Sequence, residues 1–427
     1  MESSSRQLKL YTATFNIRGA QPFLDVNSEV LEKFLPDELV RACDVVALGF
    51  QEAPINVPVF SGVSDRFLLI LREYLSNFGF FELVLPYRQL SLVLCVYVKR
   101  KLLGCVKRID FDSMRTAEMG MKGCVAVQIT LSDGTQISFV NCHFSPNNEN
   151  LSIRIQEYNT MVKNVKFGVD TVLADIALDF VICLGDLNFR VDFPSAEGAI
   201  KYLKAKDSVE QLLGSDQLIR CMRSGDAFRH FEEAKIAFQP TYRYLIDTSE
   251  FDTNRVPSWC DRVLYKVQDL VGNNPKRRSG LLAIEPIDYR SIDSVRVSDH
   301  KPVVAIFNLR LSAKALQPCW LVEFVCQRPN VWVASEGHNC QFRISSEYTV
   351  ATFDWIGLYS TETNSVAAYV TWLYMLTSWT SNGGDVSNLC FKPVQLSGLS
   401  GWFHLGYYSL RHNCLVGVSQ PFQIVAQ

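Results

Sequence analysis

The chain has 427 residues, of which 48% are hydrophobic and 20% charged, with a formal net charge of −2 at pH 7. This length suits a large catalytic unit followed by a smaller module, and the composition excludes a disordered or fibrous chain. A pI near 6.3 argues against a protein that coats nucleic acid, because such proteins carry a strongly basic balance.

In chain order, short apolar runs typical of strands alternate with amphipathic stretches typical of helices. The predicted elements are strands at 8–17 and 44–50, a helix at 67–78, strands at 91–99, 124–131 and 135–143, a helix at 151–165, and strands at 179–184 and 302–309. Beyond residue 320, runs rich in Val, Trp, Tyr and Phe alternate with turn residues, which predicts a β-sandwich. The two predicted domains are therefore residues 1–311 and 319–427.

Localisation signals are weak. The first residues, MESSSRQLKLYTATF, lack the basic and apolar segments of a secretory signal. The most apolar stretch, residues 367–379, falls short of the ~20 residues that span a bilayer. The 13 cysteines are scattered singly without a CxxC pair, which predicts reduced thiols in the cytoplasm.

Polar side chains follow several predicted strands, where catalytic groups gather in layered α/β proteins. Each motif by itself also fits a turn or a helix cap. No Cys-x5-Arg loop and no serine elbow appears, so covalent catalysis is not favoured. The set comprises Asn16 in FNIRG, Glu52 in LGFQE, His143 at the end of ISFVNCH, Asp186 and Asn188 in GDLNFR, Asp261 in PSWCDR, and Asp299 with His300 in SDHKP.

Taken jointly, these residue types suit the hydrolysis of a phosphate ester. Such a reaction needs a neutralised oxyanion cluster and an activated water, for which a hard divalent cation held by oxygen ligands serves well. Glu52 and Asp299 are suited to hold Mg²⁺, with Asn16 in support. The sequence therefore predicts a magnesium site.

The remaining residues of the set have predicted catalytic roles. Asp186 is suited to orient or deprotonate the attacking water, and Asn188 to donate to a phosphoryl oxygen. Asp261 and His300 resemble a carboxylate–histidine pair, in which the acid fixes the tautomer and favours the imidazolium. His300 would then bind phosphoryl oxygens, with His143 alongside.

These motifs, in this order, resemble the inositol polyphosphate 5-phosphatases, a branch of the endonuclease/exonuclease/phosphatase superfamily built like DNase I. The resemblance covers residues 8–309 and rests mainly on LGDLNFR at 184–190 and RVPSWCDRVLY at 255–265. Support comes from FNIRG, GFQE, PTYRY at 240–244 and YRSIDSVRVSDHKPV at 289–303. The resemblance implies an α+β (α/β) fold, a DNase I-like four-layer sandwich of two β-sheets flanked by helices.

The same resemblance implies an activity. It indicates Mg²⁺-dependent removal of the 5-phosphate by in-line attack of water on phosphoinositides such as PtdIns(4,5)P2 and PtdIns(3,4,5)P3, with soluble Ins(1,4,5)P3 as a further candidate substrate. The residues that it assigns to substrate binding are Lys122, Tyr242, Arg243, Arg255 and Arg262. Tyr242 and Arg243 match positions near the 4-phosphate, and a planar guanidinium suits bidentate phosphate recognition.

Two positions depart from the family pattern. Met121 stands in MGMKGC where the family has an asparagine associated with the 1-phosphate, although Lys122 is retained. Asn147 replaces the second histidine of the family's HLxxH. These departures bear on headgroup preference and rate, whereas the predicted metal ligands and water-activating residues match.

The tail resembles a SKICH domain. The matching segments are DWIGLY at 354–359, GYYS at 406–409 and VGVSQPFQI at 416–424. The resemblance implies an all-β immunoglobulin-like sandwich that targets the enzyme to membranes or to protein partners, at the endoplasmic reticulum or plasma membrane ruffles. Its aromatic residues, such as Trp355 and Tyr359, are expected in the sandwich core.

We accordingly expect a monomer that meets a phosphoinositide headgroup at a membrane surface and binds no nucleic acid. Two other functions remain open at this stage. A DNase-like or abasic-site nuclease would use the same metal centre, although the acidic pI and the PTYRY and PSWCDR segments count against it. A weakly active adaptor that works through the β-tail is the other, suggested by Met121 and Asn147.

Overall fold

The structure is a computed structural model that describes residues 5–54, 65–84, 86–116, 122–168, 171–173, 178–205, 208–267, 282–325, 330–375, 380–381 and 386–426. The strands up to residue 312 are β1 (Ser5–Asn16), β2 (Val45–Gln51), β3 (Phe80–Glu82), β4 (Tyr87–Gln89), β5 (Leu92–Lys99), β6 (Val106–Arg115), β7 (Gly123–Leu131), β8 (Gln136–His143), β9 (Lys166–Phe167), β10 (Thr171–Val172), β11 (Phe180–Asp186), β12 (Glu232–Glu233), β13 (Asp261–Val267), β14 (Ala283–Ser291) and β15 (Val303–Ser312). The α-helices in this region are α1 (Glu29–Phe34), α2 (Asp37–Ala42), α3 (Arg66–Ser76), α4 (Leu151–Asn164), α5 (Ala196–Leu203), α6 (Ser208–Leu213) and α7 (Gln217–Ser224), with 3₁₀ turns at Arg100–Cys105 and Asn148–Asn150.

The first sheet has seven strands within the described residues, in the order β14-β15-β1-β2-β5-β3, with β4 also paired to β5. Its central strands β1 and β2 are parallel, with Leu10 opposite Val45 and Asn16 opposite Gln51. Strand β2 is buried along its whole length, as expected for a central strand covered on both faces. Helices α1, α2 and α3 cover the outer face of this sheet.

The second sheet has six strands in the described part of the chain, in the order β12-β13-β11-β8-β7-β6. Strands β8 and β11 are parallel, and β13 runs antiparallel to β11. Helices α4 and α7 cover the outer face through buried residues such as Met161 and Leu218. The result is four layers, with two sheets face to face between two layers of helices.

A glycine allows the two sheets to approach closely near the ends of their central strands. A Cβ on Gly49 would lie 2.8 Å from Asn141 Cγ and 2.9 Å from Leu184 Cδ1. The amide of Asn141 crosses between the sheets, donating to Phe50 O at 3.0 Å and accepting from Gln51 Nε2 at 2.6 Å. These bonds satisfy buried polar groups and fix the relative position of the strand ends.

The C-terminal domain, residues 319–426, is a β-sandwich. Its elements are β16 (Val322–Val325), β17 (Val331–Val333), β18 (His338–Ile344), β19 (Trp355–Ser360), β20 (Thr371–Tyr374), β21 (Thr380–Ser381), β22 (Ser387–Phe391), β23 (Gly401–Ser409), β24 (Cys414–Val418), β25 (Phe422–Val425) and the short helix α8 (Pro393–Leu396). Among the described residues one sheet has the order β16-β18-β22-β21, and the other β17-β25-β23-β19-β20 with β24 paired to β23. Tyr359 is fully buried in the core as predicted, whereas Trp355 is half-buried.

The C-terminal domain packs against one end of the N-terminal sheets. Cys319 N donates to Gly104 O at 2.8 Å, and Ile109 N donates to His412 O at 2.8 Å. Because β5 runs antiparallel to β2 and β7 antiparallel to β8, these contacts lie at the end opposite the C-terminal ends of β1, β2, β8 and β11. One hydrophobic cluster continues across the boundary, as expected for two domains that form one packed unit.

The predicted architecture, two β-sheets flanked by helices and followed by an all-β sandwich, is confirmed. Each predicted strand and helix of the N-terminal region is present, with ends displaced by up to three residues. The sequence patterns did not indicate the short helices α1, α2, α5, α6 and α7. The described cysteines are free thiols, and most are buried.

No helix among the described residues is long and apolar enough to cross a membrane.

Candidate active site

Strand register gathers the predicted catalytic residues at one end of the two sheets. Asn16 ends β1 opposite Gln51 of β2, so Glu52 follows directly beside it. In the second sheet Asp186 ends β11 and is paired with His143 of β8 on one side and with Asp261 of β13 on the other. The polar residue that ends each apolar strand therefore meets its counterparts at a shared edge.

Asp186 is the centre of this group. Its Oδ2 accepts a hydrogen bond from Asn16 Nδ2 at 2.9 Å and lies 3.3 Å from His143 Nε2 and 3.9 Å from His300 Nε2. Burial raises the pKa of Asp186, but the charges of His300, His143 and Lys122 outweigh it and hold the pKa well below its usual value. The carboxylate is therefore ionised and acts as a hydrogen-bond acceptor.

His300 and Asp261 form a buried pair. The ring nitrogen Nδ1 of His300 lies 2.9 Å from Asp261 Oδ2, which also accepts from Thr241 Oγ1 at 2.7 Å. Burial lowers the pKa of His300, but Asp261 and Asp186 outweigh burial and raise it to about 9. The pair is therefore an imidazolium held by a carboxylate, with Nε2 directed toward Asp186.

Oxygen ligands suited to a hard cation lie beside this pair. Among the described residues, Asp186, Asp261 and His300 have ligand atoms within 4.8 Å of one another. His300 and Asp261 are already hydrogen-bonded to each other through Nδ1 and Oδ2. These three residues are therefore better suited to share a proton than to hold a cation. Glu52, with a side chain 44% exposed and Oε1 3.8 Å from His143 Nε2, is the accessible carboxylate of the site. Together with the amide of Asn16 it fits the oxygen chemistry of a divalent cation.

Asp299, the other predicted metal ligand, has arginine partners. Its Oδ2 lies 3.3 Å from Arg243 Nε and 3.8 Å from Arg18 Nε. Arg243 also lies 3.3 Å from Asp252 through its NH1, and its side chain is 30% exposed. The carboxylates of Asp252 and Asp299 thus hold the Arg243 guanidinium at the rim of the site.

Two aromatic and basic residues extend the site toward a pocket. The Tyr242 ring lies 4.5 Å from the His300 ring, and the guanidinium of Arg190 lies 4.6 Å above Tyr242. Arg190 and Arg255 line a pocket of about 190 Å³. Its other lining residues are Asn148, Val191, Phe193, Asn254, Val256 and Ser258.

Lys122 and Asn188 complete the predicted set. Lys122 Nζ contacts His143 Nε2, and burial lowers the pKa of the lysine although Asp186 and Glu52 oppose that shift. Asn188 has a φ of +56°, a conformation that asparagine tolerates better than most residues. Its backbone N donates to Asp186 Oδ1 at 3.1 Å and its Nδ2 to Phe144 O at 2.9 Å, which anchors the loop after β11.

Comparison with protein families shows the family to which the chain belongs. The family described as "Endonuclease/Exonuclease/phosphatase family 2" matches residues 13–306, and the SKICH domain matches residues 324–424. The chain belongs to endonuclease/exonuclease/phosphatase family 2. It carries a C-terminal SKICH domain, and the predicted resemblance to both is confirmed.

Two curated relatives are similar to nearly the whole chain. Phosphatidylinositol 4,5-bisphosphate 5-phosphatase A of Homo sapiens is 29% identical over 428 residues, covering 97% of the chain and 41% of the relative. Inositol polyphosphate 5-phosphatase K of Mus musculus is 26% identical over 442 residues, covering 98% of the chain and 90% of the relative. The chain therefore spans about two fifths of the length of the first relative and most of the second.

Solved structures of similar fold have different ligands. The inositol polyphosphate 5-phosphatase domain of SPsynaptojanin, in complex with inositol (1,4)-bisphosphate and calcium, has a TM-score of 0.60 at 24% identity and covers 72% of this chain and 86% of its own. Cimex nitrophorin, in a ferrous NO complex, has a TM-score of 0.56 at 23% identity and covers 71% of this chain and 99% of its own. These likenesses confirm the DNase I-like fold of this family member. They also show that the fold by itself does not decide the activity, so the side chains must.

Arg262, which was predicted to bind substrate, is instead buried between elements of the fold. Arg262 is fully buried and donates through NH1 to Asp216 Oδ1 at 3.1 Å and through Nε to Glu233 Oε1 at 2.7 Å. Asp261 and Arg262 are neighbours on β13, so their side chains point to opposite faces of the sheet. Since Asp261 faces the site, the prediction that Arg262 contacts the substrate is corrected: its guanidinium ties β13 to α7 and β12.

The structure also identifies positioning residues that the sequence analysis missed. Arg154 of α4 is fully buried and donates to Ser145 O at 3.0 Å and Asn147 O at 2.6 Å, which fixes the loop after His143. Glu157, one turn later, accepts from Ser145 N at 2.8 Å. Their only sequence signal was two charged residues inside an amphipathic helix, a pattern that usually means a solvated face. Met121 lies outside the described residues.

Proposed function

We propose that this chain is a metal-dependent phosphoric monoester hydrolase that removes the 5-phosphate from phosphoinositides such as PtdIns(4,5)P2 and PtdIns(3,4,5)P3, with soluble inositol polyphosphates as further substrates. The observation that supports it best is the group centred on Asp186, an ionised carboxylate between Asn16, His143 and the His300–Asp261 pair. The names of the curated relatives point to the same activity.

The side chains divide the reaction between them in this proposal. Asp186 orients the attacking water so that a lone pair of the water oxygen points toward phosphorus, and it accepts a proton from that water. The imidazolium of His300, raised to a pKa of about 9, donates to a phosphoryl oxygen as charge develops there. Asn188 and His143 donate to further phosphoryl oxygens. The water oxygen bonds to phosphorus as the bond between phosphorus and the inositol 5-oxygen breaks. The 5-oxygen takes a proton from solvent water and leaves as the hydroxyl, and Asp186 returns to solvent the proton that it accepted.

The cation in this proposal is Mg²⁺, with Glu52, Asn16 and Asp299 as the residues that would hold it. Bound there, it would supply charge neutralisation for the phosphoryl oxygens and the leaving oxygen. Asp299 requires a change of partner to do so, because its carboxylate is paired with Arg243. Arg243 would then be released to meet a substrate phosphate.

The headgroup in this proposal lies across the rim and the adjoining pocket. Tyr242, Arg243 and Arg255 contact the 4-phosphate side of the inositol ring, and Lys122 contacts the side near His143. Arg190, stacked on Tyr242 in the same pocket, adds a cation next to the predicted set. Two arginines at one small pocket suit a ring that carries vicinal phosphates.

The C-terminal SKICH domain targets the enzyme in this proposal. Its position at the far end of the sheets leaves the catalytic end open. We propose that its partner is a protein and that the enzyme is a monomer associated peripherally with membranes from the cytoplasmic side.

Phosphate release tests the proposed function. Purified protein with Mg²⁺ is expected to release phosphate from PtdIns(4,5)P2 or Ins(1,4,5)P3 and to leave an abasic-site duplex uncut, with EDTA abolishing the activity. Cleavage of the duplex without phosphate release from either inositide would point to a nuclease. No turnover of any of the three would favour an adaptor.

A further inference from the structure

We propose that the loop of residues 245–250 is a membrane-docking tip that seats the catalytic end on the bilayer carrying the substrate. The inference rests on the proposed function and extends it, since it makes the bilayer, and not only the headgroup, a part of what the enzyme recognises. Leu245 and Ile246, at the tip, are 45% and 42% exposed. Single exposed aliphatic residues are ordinary on protein surfaces. The proposal therefore depends on where the loop lies and on how firmly it is held.

The tip is firmly anchored. Leu245 N donates to Glu250 O at 2.9 Å, and Thr248 Oγ1 donates to Leu245 O at 2.8 Å. At its base, Tyr244 and Phe251 form a β-bridge with ring centroids 4.4 Å apart. The two aliphatic side chains are therefore displayed by a closed loop and not by a disordered segment, which lowers the conformational entropy lost on insertion.

The tip belongs to the catalytic end. Tyr244 N donates to Asp299 O at 2.9 Å, and Asp247 N donates to Arg296 O at 2.9 Å, so the segment that carries His300 forms its base. Arg243, at the rim of the site, is two residues from Leu245, a separation of at most about 7 Å along the chain. Apolar residues of interfacial proteins enter the boundary between headgroups and acyl chains by ~5–10 Å. A headgroup bound at Arg243 therefore brings the tip to that boundary.

The rest of the catalytic end supports a bilayer as the occupant. Leu24, which follows the end of β1, is a third aliphatic residue at this end and is 66% exposed. The exposed arginines Arg255 and Arg296 lie at the same end, where they can face anionic lipid. The C-terminal domain packs at the opposite end and leaves this one unobstructed.

The charges within the tip predict how its vesicle binding depends on salt. Asp247 and Glu250 are exposed and acidic, so the tip gains no electrostatic attraction to an anionic surface. Its contribution comes from burying the two aliphatic side chains, and apolar burial is insensitive to moderate salt. The share of vesicle binding that the tip provides should therefore persist as ionic strength rises.

The double variant L245S/I246S tests the proposal against the control V394S/L410S, whose positions in the C-terminal domain are 80% and 44% exposed. On phosphatidylcholine vesicles that carry PtdIns(4,5)P2, the tip variant is expected to lose about 10-fold or more in kcat/KM, because two apolar side chains no longer insert. On soluble Ins(1,4,5)P3 it should match the unmodified protein, which also reports that it is folded. The control should be unchanged on both substrates.

Equal loss on vesicles and on Ins(1,4,5)P3, or no loss on vesicles, would overturn the docking tip. Flotation with the same vesicles in EDTA measures vesicle binding without hydrolysis, so it tests the docking tip independently of the proposed function. If the unmodified protein hydrolyses neither substrate, the proposed function fails, but flotation still decides the tip. Binding by the unmodified protein and not by L245S/I246S supports it, and equal flotation of the two rejects it.

Discussion

One carboxylate, that of Asp186, carries most of the chemistry proposed for this chain. Asn16, His143 and His300 converge on it from three other strand ends and loops. The charges of His300, His143 and Lys122 keep it ionised despite its burial. To accept a proton from water, the Asp186 carboxylate must stay in position relative to the water, and the residues that contact it hold it there.

Asp186→Asn tests that role with little change of shape. We expect kcat for phosphate release to fall by about 10²–10⁴-fold, because the amide cannot take the proton of the attacking water. Asp133→Asn is the matched control, since Asp133 is an exposed turn residue whose Oδ1 accepts from Thr135 N. Comparable kcat values for the two variants and the unmodified protein would remove Asp186 from the reaction.

Arg255 and Arg262 give opposite expectations although both come from one sequence motif. Arg262→Ala leaves the buried carboxylates of Asp216 and Glu233 without their partner, so the free energy of unfolding should fall by about 3–5 kcal/mol. Arg255→Ala removes an exposed side chain and should leave stability unchanged while raising KM for the inositide. Denaturant unfolding measures the stability of the two variants, and steady-state kinetics measures their KM. A stable Arg262→Ala protein with a raised KM would restore the original prediction.

The sequence marks a polar residue at the end of an apolar run at Asn16, His143 and Asp186, and the structure brings these three residues together. It failed at Arg262 because motif membership does not state which face of a strand a residue occupies, although the alternation with Asp261 contained that information. It missed Arg154 because a buried arginine within a helix looks like a solvated one until its partners in the following loop are known.

Among the elements, helix α4 connects the fold to the site. Its polar residues Arg154 and Glu157 face the loop after β8, where Asn147 adopts a φ of +75° and accepts through its carbonyl from Arg154. With a ψ of +150°, Asn147 lies in a region of backbone conformation that is essentially confined to glycine, so its backbone is strained. The departure from the family pattern at Asn147 therefore falls at a strained position, which the buried Arg154 holds in place.

The strands and long helices were predictable because each carries a periodic apolar pattern over many residues, as in β2 and α3. Helices α5, α6 and α7 have only eight, six and eight residues. Elements this short owe their stability to packing against the sheets, and that packing leaves little periodicity in the sequence.

Strand β23 carries a pH-sensitive residue. His404 is 8% exposed and stacks on Tyr359, and burial, with a contribution from Arg100, lowers its pKa to about 4. An unfolded chain would protonate this residue near pH 6.5, so stability is lost as pH falls from about 6.5 toward 4. Between pH 7 and 5 the unmodified protein should lose about 2 kcal/mol more than His404→Gln, as measured by denaturant unfolding. Parallel losses in the two proteins would contradict this.

At the scale of the whole molecule, the two domains form one unit. Glu82 at the edge of the first sheet accepts from Ser365 Oγ at 2.6 Å, and its backbone N donates to Asn364 O at 2.7 Å. Arg72, 3.6 Å from the Glu82 carboxylate, also accepts through its carbonyl from Asn364 Nδ2 at 3.4 Å. This docking keeps the catalytic end and the C-terminal domain at opposite ends of the molecule.

A double-mutant cycle of Glu82→Gln and Ser365→Ala measures the docking in solution. We expect a coupling free energy of about 1–2 kcal/mol, because the two side chains share a buried hydrogen bond to a charged group. The pair Glu82→Gln and Ser195→Ala, whose members have no contact, should be additive. Additivity in the first cycle as well would mean that the contact between Glu82 and Ser365 does not stabilise the docking of the domains in solution.

The regiochemistry of hydrolysis is the most direct test of the proposed 5-phosphatase activity. PtdIns(4,5)P2 is incubated with the full chain and Mg²⁺, and the monophosphate product is separated and identified. The arrangement of Tyr242, Arg243 and Arg255 next to the centre formed by Asp186 and His300 predicts that PtdIns4P accumulates and that Asp186→Asn forms none. Accumulation of PtdIns5P, or of no monophosphate in the presence of Mg²⁺, would contradict the proposed 5-phosphatase.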